Sequence, residues 1–299
     1  MVQGRRRWTV EKDSEVRASP LRVAVFLVVI ALARPVAAQQ RPLVTEDPEP
    51  IGAGRVLIES GVDYASDQQY PVSGLKGNLW RAPTLGISVG ISSIAELQID
   101  GGLYDLLSIT NTNRAAPLSS LLTFTGDTTH DFEDIVIGTK IRFFAETEAS
   151  PAFAFRFATK LPNASNESGL GLDTIDFFAS LLAGKTVQSV RVVGNIGLGI
   201  LADPTSGNRQ NDVLMYGVSF ANALTQQVEF VGELNGRVST RTGNPFPGTE
   251  SRGLLKLGGR YTRGPVRFDS ALFLGLTTLD PRISFTAGIT YVFNAFTVP

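Results

Sequence analysis

The chain contains no cysteine in 299 residues, which excludes disulfides and thiolate chemistry and is compatible with an oxidising compartment. It holds a single histidine, His130, too few for a zinc site of the usual kind. Beyond residue 38, charged side chains interrupt every apolar run before the roughly 18 residues that a membrane-spanning helix requires. A helical membrane protein is thereby excluded. No basic surplus exists either, so nucleic acid is not an expected partner. Against these absences stand 43% apolar residues, 18 Phe and 30 Gly with only 18% charged residues, a poor match to a disordered chain. The composition favours something ordered and rich in β-structure.

Near the start, residues 21–32 are apolar apart from Arg22, follow five basic residues and precede Val36-Ala37-Ala38. That is the layout of a cleaved export signal ending at Ala38. The triple Arg5-Arg6-Arg7 sits too far ahead of the apolar run for a twin-arginine signal, and a misassigned translation start accounts for the long leader. Removing the seven basic and three acidic residues of 1–38 leaves 20 basic and 25 acidic residues, a net charge of −5. Residues 39–53, with three prolines and the acids Glu46, Asp47 and Glu49, read as an extended periplasmic N-terminal segment. Residues 54–299 form the remaining domain.

That domain is built of apolar/polar alternation. In 283–293, Ile283, Phe285, Ala287, Ile289, Tyr291 and Phe293 alternate with small or polar residues, and similar segments of about 11 to 15 residues run back to Gly54. Twelve segments are expected: 54–66, 78–91, 95–108, 131–145, 151–162, 173–186, 189–202, 211–223, 226–240, 252–263, 266–278 and 283–293. Connections alternate between short turns and long loops at 67–77, 109–130, 163–172, 203–210 and 241–251, with 279–282 the exception. The pattern predicts an all-β fold, a single transmembrane antiparallel β-barrel of about 12 strands, outer-membrane type, with both termini in the periplasm.

Charge parity supports that reading, because a charge facing lipid at the midplane costs about 2–4 kcal/mol whereas one facing a lumen is tolerated. Nearly all strand charges share one face and large apolar residues share the other. Arg81, Asp105 and Lys185 break the parity and are expected near strand ends, where they reach headgroups or water. Aromatics at Tyr64, Trp80, Tyr216, Tyr261, Phe268, Tyr291 and Phe293 suit an interfacial girdle. A soluble β-sandwich also alternates, but it does not keep charges on one parity through nearly every segment.

Strand direction places Glu96 and Asp100 opposite Lys140 and Arg142, and Glu229 and Glu233 opposite Arg260 and Lys256. With Arg156 and Lys160, these are the expected lumen-lining residues. They read either as a charged constriction that selects solutes or as cross-strand neutralisation that fills a modest lumen. His130, in an acid-rich stretch with Asp127, Asp131, Glu133 and Asp134, is a candidate cation ligand or part of a solvated loop; the acids lack the fixed spacing of a calcium loop. It lies beside no nucleophile motif, so no catalytic set, metal site or cofactor is expected.

Several motifs resemble those of a known family. Ala158-Thr159-Lys160-Leu161-Pro162-Asn163-Ala164-Ser165 followed by Gly169-Leu170-Gly171 is similar to a strand-and-loop signature, KLPT…GLG, of the bacterial outer-membrane family named for the meta-pathway of phenol degradation. Ile137 to Phe143, Gly232-Glu233-Leu234 and Ala287 to Phe293 also resemble it, while Asn163 replaces the usual Thr. The resemblance implies an outer-membrane transporter for aromatic or other hydrophobic compounds and transfers no catalytic residues. The expected function is passive passage of small solutes, with loop 109–130 as a candidate lid or plug. The alternative is a non-conducting structural or surface-interaction barrel. Expected partners are outer-membrane lipids and lipopolysaccharide, the solute, and the barrel assembly machinery, which would read Tyr291 and Phe293 as its signal.

Overall fold

The computed structural model describes residues 41–298; the expected export signal, residues 1–38, lies outside the described residues. Fourteen hydrogen-bonded segments make one antiparallel sheet: β1 (Arg55–Tyr70), β2 (Leu75–Gly90), β3 (Ala95–Gly102), β4 (Asp105–Thr112), β5 (Thr128–Asp131), β6 (Val136–Phe144), β7 (Ala152–Lys160), β8 (Asp176–Val187), β9 (Val190–Ala202), β10 (Gln210–Ala223), β11 (Val228–Ser239), β12 (Arg252–Arg263), β13 (Val266–Gly275) and β14 (Ile283–Asn294). β1 pairs with both β2 and β14, which closes the sheet on itself, while the short β5 pairs only with β4. Two staves are interrupted. The upper half of β2 pairs with β4 and its lower half with β3, while β5 continues β4's far side as β6 continues β3's. Counting β3/β4 and β5/β6 as single staves gives a closed barrel of twelve.

Short turns sit at one end, as between Arg263 and Val266, which pair directly across Gly264 and Pro265. Longer connections at the other end include 113–127, with a 3-10 turn at Ser119–Leu121. The connection expected over 67–77 is much shorter, because β1 and β2 run on for 16 residues each and turn within 71–74. Hydrophilic residues Asp67, Gln68 and Gln69 signal a loop by composition, yet Gln68 and Gln69 pair with Gly77 and Lys76 and continue the ladder past a bulge at Asp67.

The register separates the faces. Glu59, Glu96, Lys140, Glu233, Lys256, Arg260 and Asp269 are buried, whereas Ile58, Ile99, Ile141, Phe157, Ile196, Leu257 and Leu272 are exposed. An apolar outer surface of this extent suits hydrocarbon, where each backbone polar group is satisfied by a neighbouring strand. Leu272, at 55% exposure the middle of β13, tests this face. Leu272→Arg is expected to destabilise the barrel by about 2–4 kcal/mol, measured by urea titration in lipid vesicles; unchanged stability would show that this face does not meet lipid.

Two of the three charges that broke the parity are explained by an irregularity in the wall. The pairing of β1 with β2 slips between Gly61 and Asp63, and at the same height the neighbouring stave breaks at Leu103 and Tyr104. Each slip shifts the side-chain alternation by one residue. Arg81 and Asp105 therefore point inward and pair with each other, Nε to Oδ2 at 3.2 Å, instead of reaching outward to headgroups. Lys185 lies near its strand end, where it reaches the carbonyl of Glu148 in the short turn.

Candidate functional site in the barrel interior

The interior is entered by the chain's own N-terminal segment. Residues 41–51, part of the segment that the sequence reads as extended and periplasmic, run through the barrel's lower half as an extended strap held by main-chain and charged contacts. Three wall carboxylates accept strap N–H groups: Glu59 from Arg41, Glu233 from Val44 and Thr45, and Glu96 from Ile51. Arg260 Nε donates to the carbonyl of Arg41 at 2.8 Å, and Lys140 Nζ to that of Asp47 at 2.8 Å. The Asn195 amide, oriented to satisfy both groups, brackets the N–H and carbonyl of Glu46. Buried main-chain groups demand such partners, and a segment without a sheet ladder takes them from side chains.

The strap's side chains complete the wall's charge pattern. Glu46 pairs with Lys140 at 2.7 Å and Arg156 at 3.6 Å, Asp47 with Arg191 at 2.7 Å, and Glu49 with Arg142. Arg41 crosses to the other side, donating to Thr286 Oγ1 at 2.7 Å and approaching Asp269 at 3.5 Å. Its guanidinium lies against the backbone of Gly61 and Gly288, where a Cβ at either position would overlap it. Glycine is needed at both places for that close approach.

The expected lumen residues are distributed as follows. Glu96 meets Lys140 at 3.0 Å across β3 and β6, and Glu233 meets Lys256 at 2.9 Å across β11 and β12. Glu229 approaches Arg260 at 3.7 Å and also Arg267 at 3.8 Å. Asp100 does not face Arg142; it lies 3.7 Å from Arg156, whose Nε also donates to Gln98. Lys160 bridges Asp134 at 3.0 Å and Asp176 at 3.1 Å. Arg41, Glu46, Asp47 and Glu49 of the strap, with Arg81, Asp105 and Glu133 of the wall, are interior charged residues that sequence reasoning did not place there. A signal existed: Lys140, Arg142, Arg156, Lys160 and Arg191 outnumber the inward acids of their own strands. At the short-turn end, partial burial opposes ionisation of Glu146, but the Thr186 N–H and the Arg191 guanidinium hold its carboxyl below the usual glutamate range.

His130 sits in β5 and points outward, its ring 5.5 Å from that of Tyr104. Among the described residues, no group of three His, Cys, Asp or Glu side chains converges as metal ligands would. Tyr291 and Phe293 lie on the outer face of β14, rings stacked at 5.5 Å, beside Ile58 and Val56 of β1.

Above the strap lies a cavity of about 470 Å³ within the barrel. Asp63, Arg81, Asp100, Glu133 and Arg156 line one arc, and Leu182, Met215, Asn235, Lys256 and Phe273 the opposite one. Nearer the mouth, Leu75, Leu79 and Leu107 are inward and fully buried, covered by Leu122 and Phe124 of loop 113–127 and by Leu170. That loop is tied to its neighbours by Leu118 N–H to Val72 and Thr123 N–H to Glu167. The interior therefore has a packed strap below, a chamber of mixed polar and apolar lining in the middle, and an apolar cluster on the wall nearer the mouth.

No family model matches the chain, and no curated protein matches it. Solved structures do. The COG4313 outer membrane channel from Pseudomonas putida F1 superposes with a TM-score of 0.57 at 13% identity, covering 83% of this chain and 98% of that one. The NanC porin superposes with a TM-score of 0.50 at 7% identity, covering 79% of this chain and 98% of that one. At such identities the likeness establishes the fold, an outer-membrane type of barrel, and nothing finer.

Proposed function

We propose that the protein is an outer-membrane channel giving passive passage to small solutes. The chamber carries this reading: twelve staves enclose about 470 Å³ lined by charged side chains on one arc and largely apolar ones on the other, instead of filling their centre with packed side chains. The apolar Leu75–Leu79–Leu107 cluster under loop 113–127 supports solutes with hydrophobic parts, as the family resemblance implies. The expected lumen residues act here as walls that set charge and width, and the chemistry is diffusion without catalysis or cofactor. Its setting is the bacterial outer membrane, among lipids and lipopolysaccharide, with Tyr291 and Phe293 on the closing strand as the signal for barrel assembly.

Reconstitution into planar bilayers tests this. Discrete conductance steps, with solute entry into liposomes, are the expected outcome. Silence in both assays would favour the non-conducting structural barrel.

A further inference from the structure

We propose that the chamber is a binding site for small organic cations, an ammonium group attached to an aromatic or compact apolar body. This deepens the channel reading and rests on it. Three observations converge on a donor-rich, positively charged ligand.

The first is which charges are free to act. Arg81 is held by Asp105 at 3.2 Å and Glu133 at 3.9 Å; Arg156 by Gln98 at 2.7 Å and Glu46 at 3.6 Å; Lys256 by Glu233 at 2.9 Å. Asp100, by contrast, leaves half of its side chain exposed, against 33% for Arg81 and 19% for Arg156, and its contact with Arg156 at 3.7 Å is an ion pair without a hydrogen bond. The carboxylates of Glu133 and Asp63 are also partly open, at 33% and 27%. The accessible surface of this arc is thus predominantly acidic although bases are present.

The second lies on the floor. Thr45 is 5% exposed and lines the chamber, yet its hydroxyl oxygen has no hydrogen-bond partner in the protein. The buried Oδ1 of Asn235, on the far arc of the same chamber, has none either. The Asn235 oxygen is an acceptor and the Thr45 hydroxyl can accept or donate, and leaving such buried groups unpaired is costly, so a donating ligand that reached them would be favoured. An ammonium has three donors and no acceptor.

The third is the wall opposite the acids, where Leu182, Met215 and Phe273 present apolar surface. Phe273 already faces one cation, with Lys256 Nζ 4.8 Å from its ring centroid. Hydrated metal ions gain nothing from such a wall. A ligand with a charged end towards Asp100 and a ring or alkyl body towards Phe273 uses both arcs.

Benzylammonium, benzyl alcohol and benzoate share a size and differ in charge. Calorimetric titration of the folded protein in detergent is expected to rank benzylammonium tightest and benzoate weakest. Asp100→Asn and Glu133→Gln are each expected to weaken benzylammonium about tenfold, with benzyl alcohol unaffected. Asp67→Asn, in the hairpin paired with Lys76 and outside the chamber, should change nothing. Equal binding of the three probes, or tighter binding of benzoate, overturns the proposal. Planar bilayers separate this from the channel reading: retained benzylammonium preference without conductance supports the ligand class and removes the channel, while conductance with no preference among the probes keeps the channel and removes the ligand class.

Discussion

Replacing Lys140 by Met is expected to destabilise the barrel by about 3–5 kcal/mol, the usual consequence of removing one partner from a buried ionic group. Lys140 has no exposed surface, and its ammonium is shared by Glu46, Glu96 and the carbonyl of Asp47. A methionine fills similar volume but leaves two carboxylates that must stay charged without their central cation or take up protons. The pair retains some support, since Gln98 donates to both and Ile51 N–H donates to Glu96. Folding in lipid vesicles followed by urea titration measures the loss. Lys140→Met combined with Glu96→Gln should recover part of it, because the second change removes one of the orphaned charges. A single-variant loss below about 1 kcal/mol would mean that water solvates these carboxylates and that the strap is not tightly seated.

Deleting residues 41–51, with 1–40 joined directly to 52, is expected to raise single-channel conductance several-fold. The strap fills the lower lumen, and an ionic current must pass beside it. Without it, Glu233, Glu96 and Glu59 lose the N–H groups they accept, and Lys140, Arg142 and Arg191 lose Glu46, Glu49 and Asp47, so these side chains turn to water. The barrel wall itself should persist, since its strand ladders do not involve residues 41–51. Conductance equal to that of the intact chain would show that current bypasses the strap or that the strap leaves the lumen in the membrane.

Much of the architecture was legible before any coordinates because bilayer and sheet impose local rules. Lipid excludes charge, and strand geometry has a period of two, so the facing of Glu59, Lys140 or Leu272 is written in parity alone. Direction and register then place Glu96 beside Lys140 and Glu233 beside Lys256, since each is counted up from a short turn at the same end of the barrel although the connection between partners is long. The rule fails where the ladder slips. Arg81 and Asp105 look like outward charges because the alternation is counted through a slip at Pro83 and a strand break after Gly101-Gly102, irregularities that the parity count passes over.

The sequence by itself determined the closed twelve-stave barrel, its faces and most of its cross-strand charge pairs, since these follow from contacts between neighbouring segments and from the cost of charge in hydrocarbon. Only the tertiary structure decided what fills the middle. The strap's anchors on Glu59, Glu96, Glu233 and Arg260 come from strands far apart in the chain and from opposite sides of the barrel, so no period or spacing encodes them. The same holds for the chamber, whose acidic arc and apolar arc face one another only after closure. Sequence sets which side chains point inward; the closing of the sheet sets which of them meet.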